Sequence, residues 1–120
     1  MTPHPIAYIA APYAGDEPLN LARADAFGLA VASLGRAVLI PHRAIGQGRP
    51  DTPETRPDAL ARCLAAVEGV WYRGGELHVL ERDDGTLSEG CALEVEAWRA
   101  RGGAEIRWRW VDGAPVRVQP

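Results

Sequence analysis

The stretch IAYIAAPYAGDEPLNLARADAFGLAVASLG, residues 6–35, decides the class of fold. Its first six residues, Ile6–Ala11, are an apolar run of the length of a buried strand, and Pro12 and Gly15 follow as turn residues. Asp16 is placed to cap a helix whose first turn holds Glu17 and Pro18, both favourable there. Leu19, Ala22, Ala26, Leu29 and Ala30 fall on one side of that helix and predict its apolar face, and Gly35 ends it. A buried strand followed at once by a helix is the opening of a βαβ unit.

The pattern continues outward from this unit. Ala37–Ile40 (AVLI) is a second apolar run, stopped by Pro41; its lack of alternation predicts a strand covered on both faces. Residues 43–57 (RAIGQGRPDTPETRP) are rich in Gly, Pro and polar groups and read as a long functional loop. A second helix runs from about Asp58 through Leu60, Cys63, Leu64 and Val67; whether it continues through Trp71 and Tyr72 to Gly74 stays open. Glu76–Leu80 is the third strand, and the loop from Glu81 leads to Ser88, the N-cap of a third helix over Glu89–Arg101. Ile106, Trp108 and Trp110 alternate with Arg107 and Arg109, a half-exposed strand. Asp112-Gly113 is a hairpin turn into an antiparallel edge strand over Val116–Val118.

Strands alternating with helices predict an α/β protein: a Rossmann/flavodoxin-like three-layer sandwich with a mostly parallel 4–5-stranded sheet and a C-terminal antiparallel edge hairpin. The 120 residues suit one domain spanning the chain. Ligands of such open sheets bind beyond the carboxyl ends of the strands. In this chain those ends carry Ala11–Tyr13, Pro41–His42 and Glu81–Ser88.

Composition narrows the chemistry. A formal charge of -3 gives no electrostatic reason to bind nucleic acid polymers or membranes. No run approaches the roughly 20 apolar residues of a membrane span, and the N-terminus lacks the marks of a secretory signal. The expected location is the cytoplasm, with Cys63 and Cys91 as reduced core thiols. The chain has no lysine, which removes Schiff-base chemistry and the P-loop lysine. Ser33 and Ser88 are its serines, and neither lies in a nucleophile elbow. His4, His42 and His78 lack metal-ligand spacing, so no metal or other cofactor is expected. Acid–base and nucleophilic work falls to carboxylates.

The third helix carries the sharpest of these. Glu89, Glu96 and Arg99 share one wet side, and Glu94 points roughly 160° away from Glu96 at ~100° per residue. Glu94 shares its stripe with Gly90, Cys91, Ala97 and Trp98 and leans back over Gly90, where a missing side chain leaves room for a ligand. The alternative is a solvated carboxylate at a helix edge. Tyr8 reads either as a ligand-facing hydroxyl or as a core aromatic, and His42 as a ligand contact or a turn residue. Asp83 and Asp84 beside Gly85 have the composition of a turn. His78 reads as structural, and Arg107 and Arg109 as the wet face of their strand.

Tyr8–Tyr13 (YIAAPY), Asn20, Pro41-His42 and Ser88-Glu89-Gly90 with Glu94, in this order, resemble the nucleoside 2-deoxyribosyltransferase superfamily over roughly residues 6–105. The likeness is closer to its short bacterial and phage members and to the 2'-deoxynucleoside 5'-monophosphate N-glycosidases. The resemblance implies that Glu94 of the S-x-G-x-x-x-E motif attacks the anomeric carbon of a nucleoside or nucleotide, with Tyr8 orienting the carboxylate. It implies substrate contacts from Ser88, Gly90, Ala11, Pro12, Tyr13, Asn20 and His42, with Ser88 and Gly90 at a 5'-phosphate. Asp58 and Asp84 are the candidates for polarising the base. A homodimer that shares active-site residues is also implied. Two other readings remain: a nucleotide-binding or sensing module without catalysis, and an enzyme similar to nucleotide phosphoribohydrolases. In the second, Gly85, Thr86 and Glu89 would match a G-G-x-G-T-x-x-E motif and Glu89 would be the key glutamate.

Overall fold

A computed structural model describes residues 4–44 and 52–118. Their order is β1 (Ile6–Ala10), α1 (Glu17–Ala32), β2 (Ala37–Leu39), α2 (Pro41–Ala44), α3 (Arg56–Tyr72), β3 (Glu76–Leu80), α4 (Glu89–Ala100), β4 (Ile106–Val111) and β5 (Ala114–Arg117). The strands form one sheet in the order β2-β1-β3-β4-β5. β1 pairs in parallel with β2 and β3, and β3 with β4; β5 returns antiparallel to β4. Tyr8 lies level with Leu39 on one side and Leu77 on the other. This is a mostly parallel α/β sheet, consistent with a Rossmann-like arrangement.

Side chains alternate across the sheet into two cores. Tyr8, Ala10, Leu77 and Val79 meet Val67 and Val70 of α3 and Cys91, Val95 and Trp98 of α4. Ala7, Ile9, Leu80 and Trp108 meet Ala24, Phe27 and Val31 of α1. The sheet curls, so that α1 lies near β1 and β2 and also near β5. On the first face Trp71 and Trp98 stand edge to face, centroids 5.1 Å apart. That contact explains why α3 continues to Tyr72: its last turn delivers Trp71 to the core, and Gly74, at φ 70, then turns the chain. A side chain on the next glycine, Gly75, would collide with the Ile6 carbonyl and Val70. The β4–β5 turn has Asp112 at φ 51 and Gly113 at φ 82, the pair of left-handed residues a two-residue hairpin requires.

Several expectations are corrected. The buried face of α1 is Ala24, Phe27, Gly28 and Val31, not Leu19, Ala22, Ala26, Leu29 and Ala30. The helix carries two apolar stripes, and the sheet takes the one with the aromatic and β-branched residues, which bury more surface. β2 is an edge strand with no fully buried residue, not one covered on both faces. α3 begins at Arg56, two residues earlier than expected, with Pro57 in its first turn. The loop expected over 43–57 falls largely on residues 45–51, outside the described residues. β5 begins at Ala114, directly after the turn, rather than at Val116.

Candidate functional site

Three of the parallel strands, β1, β2 and β3, lead, as expected, to a common depression. β1 leads into Ala11, Pro12, Tyr13 and Ala14; β2 leads into Pro41 and His42; β3 leads through Arg82 to Ser88 and α4. The order of the sheet reverses between β1 and β3, because the chain leaves β1 towards β2 and then crosses back. A crevice opens at such a switch point. Here it is a cavity of about 320 Å³, closed on its far side by Thr55, Arg56, Ala59, Leu60 and Cys63 of α3 and its approach. That volume is at the small end of the range for small-molecule sites.

Glu94 lines this cavity and is only 6 % exposed. Ser88 caps α4 by accepting from the Cys91 N–H at 3.2 Å, which fixes the start of the helix and puts Glu94 on its second turn. A Cβ at Gly90 would meet no atom within 4 Å, so the space over which Glu94 leans is open. Burial pushes the Glu94 carboxyl up to about 7, against a smaller downward pull from the Tyr8 hydroxyl. Tyr8 is fully buried on β1 beneath the cavity. Burial first, and then the neighbouring Glu94 charge, raise its hydroxyl far above the usual phenol range. The hydroxyl is near enough to act on the carboxyl, but the two are not set in a formed hydrogen bond. Tyr8 Oη and Glu94 Oε2 are both buried without a partner.

The entrance to α4 offers the opposite polarity. The Glu89 and Gly90 amides have no carbonyl within the helix to bond. Ser88 Oγ is already an acceptor for Cys91, but its own proton remains available to a ligand. Arg56 and Arg82 add positive charge to the lining. His42 lies against Tyr13, centroids 4.8 Å apart, and burial holds its imidazole down to about 4, so it is neutral at pH 7. Its Nδ1 is buried without a partner.

Of the residues singled out in the sequence, Ala11, Pro12, Tyr13, His42, Ser88, Gly90 and Glu94 line the one cavity, with Tyr8 beneath it. Asn20 does not line it. Its amide donates to the Tyr13 and Ala14 carbonyls at 3.0 and 3.1 Å and so holds the β1–α1 loop in shape. Asn20 belongs to a neighbouring hollow of about 240 Å³, which shares Pro12, Ala14 and Arg82 with the first. Asp84 is not brought to the site: its carboxylate accepts from the Thr86 N–H and hydroxyl at 3.0 and 2.6 Å in an exposed turn. Asp58 is exposed on α3 and pairs with Arg62 at 3.0 Å. Glu89 is exposed at the cavity rim.

Sequence reasoning did not foresee Arg56 or Cys63 in the lining, and it did not single out Arg82 within the Glu81–Ser88 segment expected there. For Arg82 a signal existed, since it lies just past the carboxyl end of a parallel strand. Nor are Arg107 and Arg109 simply wet. Both pair with Glu81, at 3.3 and 2.7 Å, and Glu81 is buried. Among the described residues no three His, Cys, Asp or Glu side chains are grouped to hold a metal ion, and no helix is long and apolar enough to cross a membrane. No protein-family model, no curated protein and no solved structure matches this chain.

Proposed function

We propose that this protein cleaves or transfers at the N-glycosidic bond of a nucleoside or its 5'-monophosphate, on a three-layer frame of the nucleoside 2-deoxyribosyltransferase kind. The observation that carries the reading is Glu94: a buried carboxylate with an unpartnered oxygen, lining a cavity at the carboxyl ends of parallel strands. A buried polar atom with no partner is rare and costly, and a site that needs it explains it.

In this reading Glu94 is the nucleophile. Its carboxylate forms a bond to C1' as the bond from C1' to the base nitrogen breaks, and the bonding electrons leave with the base, which takes a proton from solvent. Water then cleaves the glycosyl ester, or a second base displaces Glu94 from C1'. The raised pKa leaves a more basic carboxylate than a surface glutamate, and low-dielectric surroundings strengthen its attraction for the positive charge that develops on the sugar. Tyr8 orients the carboxylate from below. Ser88 and the free amides of Glu89 and Gly90 receive a phosphate or a sugar hydroxyl, and Tyr13 and His42 flank the rest of the ligand.

The test is release of free base from a panel of deoxynucleosides, ribonucleosides and their 5'-monophosphates, followed by chromatography. The wild type is expected to release base from at least one member and Glu94→Ala from none, while Glu89→Ala, altered only at the rim, keeps activity. No release by the wild type, or equal release by Glu94→Ala, overturns the assignment. Loss with Glu89→Ala alone transfers the role to Glu89. Ligand-dependent melting shifts without turnover would identify a binding module instead.

A further inference from the structure

The cavity that holds Glu94 and the neighbouring hollow of about 240 Å³ share a partition made of Pro12, Ala14 and Arg82. The first opens towards α4, the second towards the start of α1 and the segment from Leu80 to Asp83. Asn20 holds the partition in shape through its bonds to the Tyr13 and Ala14 carbonyls. Small-molecule sites run to roughly 1,000 Å³, and the first cavity alone is at the small end of that range. A ligand longer than this cavity finds its continuation past Arg82.

The charged side chains of the second hollow are Arg23, Glu81, Arg82 and Asp83, and their partners decide what it attracts. Glu81 is already neutralised, since Arg107 and Arg109 both bond its buried carboxylate. Arg23 donates to Asp83 at 3.1 Å, but Asp83 is 70 % exposed, and an ion pair so wet is weak. The Arg23 Cζ stands 5.0 Å from the centre of the Trp110 ring, which helps to fix the guanidinium. Its Nε is buried without an acceptor, a donor that the chain itself leaves unused. Arg82 makes no side-chain hydrogen bond and no ion pair among the described residues. One guanidinium is thus left uncancelled beside a second that is weakly held, and this planar fork suits phosphate oxygens. The α1 amides add nothing: Gly15 and Asp16 already accept from those of Glu17, Leu19 and Asn20. Recognition in the second hollow falls to side chains.

We propose that the second hollow is a subsite for a second phosphate group, and that the preferred ligand is a nucleoside 5'-diphosphate spanning the partition. The inference rests on the reading of the first cavity as a nucleotide site. The first phosphate lies at the entrance of α4, and the second lies between Arg82 and Arg23. Arg82, on the partition, bonds both groups. Arg23 bonds the second alone, exchanging the exposed Asp83 carboxylate for a ligand oxygen.

Calorimetric titration of the whole chain tests it, with the deoxynucleoside 5'-monophosphates, the matching 5'-diphosphates and inorganic pyrophosphate as probes. In the wild type at least one diphosphate is expected to bind about tenfold more tightly than its monophosphate. In Arg23→Gln the ratio of the two dissociation constants falls to about one. Asp83→Asn, which removes the competing carboxylate, raises that ratio by about threefold, a gain that damage to the fold does not produce. A wild-type ratio of one, or no binding of any nucleotide, overturns the inference. So does a ratio unchanged in both variants, or pyrophosphate binding as tightly as the diphosphates, which would make the hollow a site for the free ion. The two readings fail separately. Base release from a monophosphate with a ratio of one defeats only the second subsite, whereas a ratio that depends on Arg23 without base release defeats only the glycosidic chemistry.

Discussion

His78 and Glu94 are both deeply buried, 2 % and 6 % exposed, on opposite faces of the same sheet, and they are bonded in opposite ways. His78 is saturated. Its Nδ1 accepts from Trp108 Nε1 at 3.0 Å, which puts the ring proton on Nε2, and Nε2 donates to Glu76 Oε1 at 2.9 Å. Glu76 is held in turn by Arg36, whose hydrogen bonds bring its carboxyl down to about 2. Glu94 Oε2, by contrast, is buried without a partner, beside the equally unpartnered Tyr8 hydroxyl. The first arrangement ties β3 to β4 and leaves nothing over. The second retains an unsatisfied oxygen next to open space. The fold is therefore capable of satisfying a buried polar group and does not do so at the cavity, which is what a group reserved for a ligand looks like.

The comparison breaks most directly at Glu94. Replacement by Gln, nearly isosteric, is expected to lower base release by about 10³-fold or more. In the wild type, kcat/KM should rise with pH and level off above about 7 as the carboxylate ionises. A flat profile across pH 5–8 would show that this carboxylate is not the nucleophile.

At His78 the loss falls on stability instead. His78→Ala removes a partner from both Trp108 and Glu76 and should cost about 3 kcal/mol in urea unfolding. A cost below about 1 kcal/mol would mean the network is ornamental.

Glu94→Gln sharpens the contrast further, because here the variant gains. In the folded protein the carboxyl titrates near 7 and unfolded near 4.5, so the native state holds its proton longer. Wild-type stability from this group is present below 4.5, declines as pH rises from there to about 7, and stays lost above. Glu94→Gln is thus expected to be the more stable protein at pH 8, by about 2 kcal/mol, with the advantage fading towards pH 4. Equal melting temperatures at pH 8 would contradict the desolvation of Glu94.

The smallest effects are expected at Tyr8 and Gly90. Tyr8→Phe removes a hydroxyl that has no bond to lose, so stability should change by less than about 1 kcal/mol, while turnover drops about tenfold as the carboxylate loses its orienting neighbour. Gly90→Ala, placed in a helix with open space before it, should stabilise by about 0.5–1 kcal/mol. The same methyl narrows the cavity and should weaken ligand binding. Tighter binding in that variant would place the ligand elsewhere.

How far these features were visible in the sequence depended on whether local chemistry was unique. Glu76–Leu80 has in the structure the bounds its sequence predicts, because Gly74-Gly75 before it and the charged loop after it leave a short strand one reading. Ser88 announced α4, and the spacing from Ser88 to Glu94 placed the carboxylate towards the crevice. The orientation of α1 was not legible. Its alanines and leucines supply two stripes of similar hydropathy, and only the shape of the sheet, which accommodates Phe27 and Val31, decides between them. Asp84 was misplaced because the resemblance drew it to the substrate, although Asp-Gly-Thr is itself a self-bonding turn. Cys63 and Arg56 reach the cavity through the packing of α3 against α4, a tertiary relation that no periodicity encodes.

The borders of the sheet carry a consequence of their own. On one flank the outermost strand, β5, contains Pro115, which has no N–H to offer a newcomer; on the other, β2 is three residues long. Neither margin is a template on which another molecule can extend the ladder. Growth by strand addition, the route to fibrils, is obstructed at both ends.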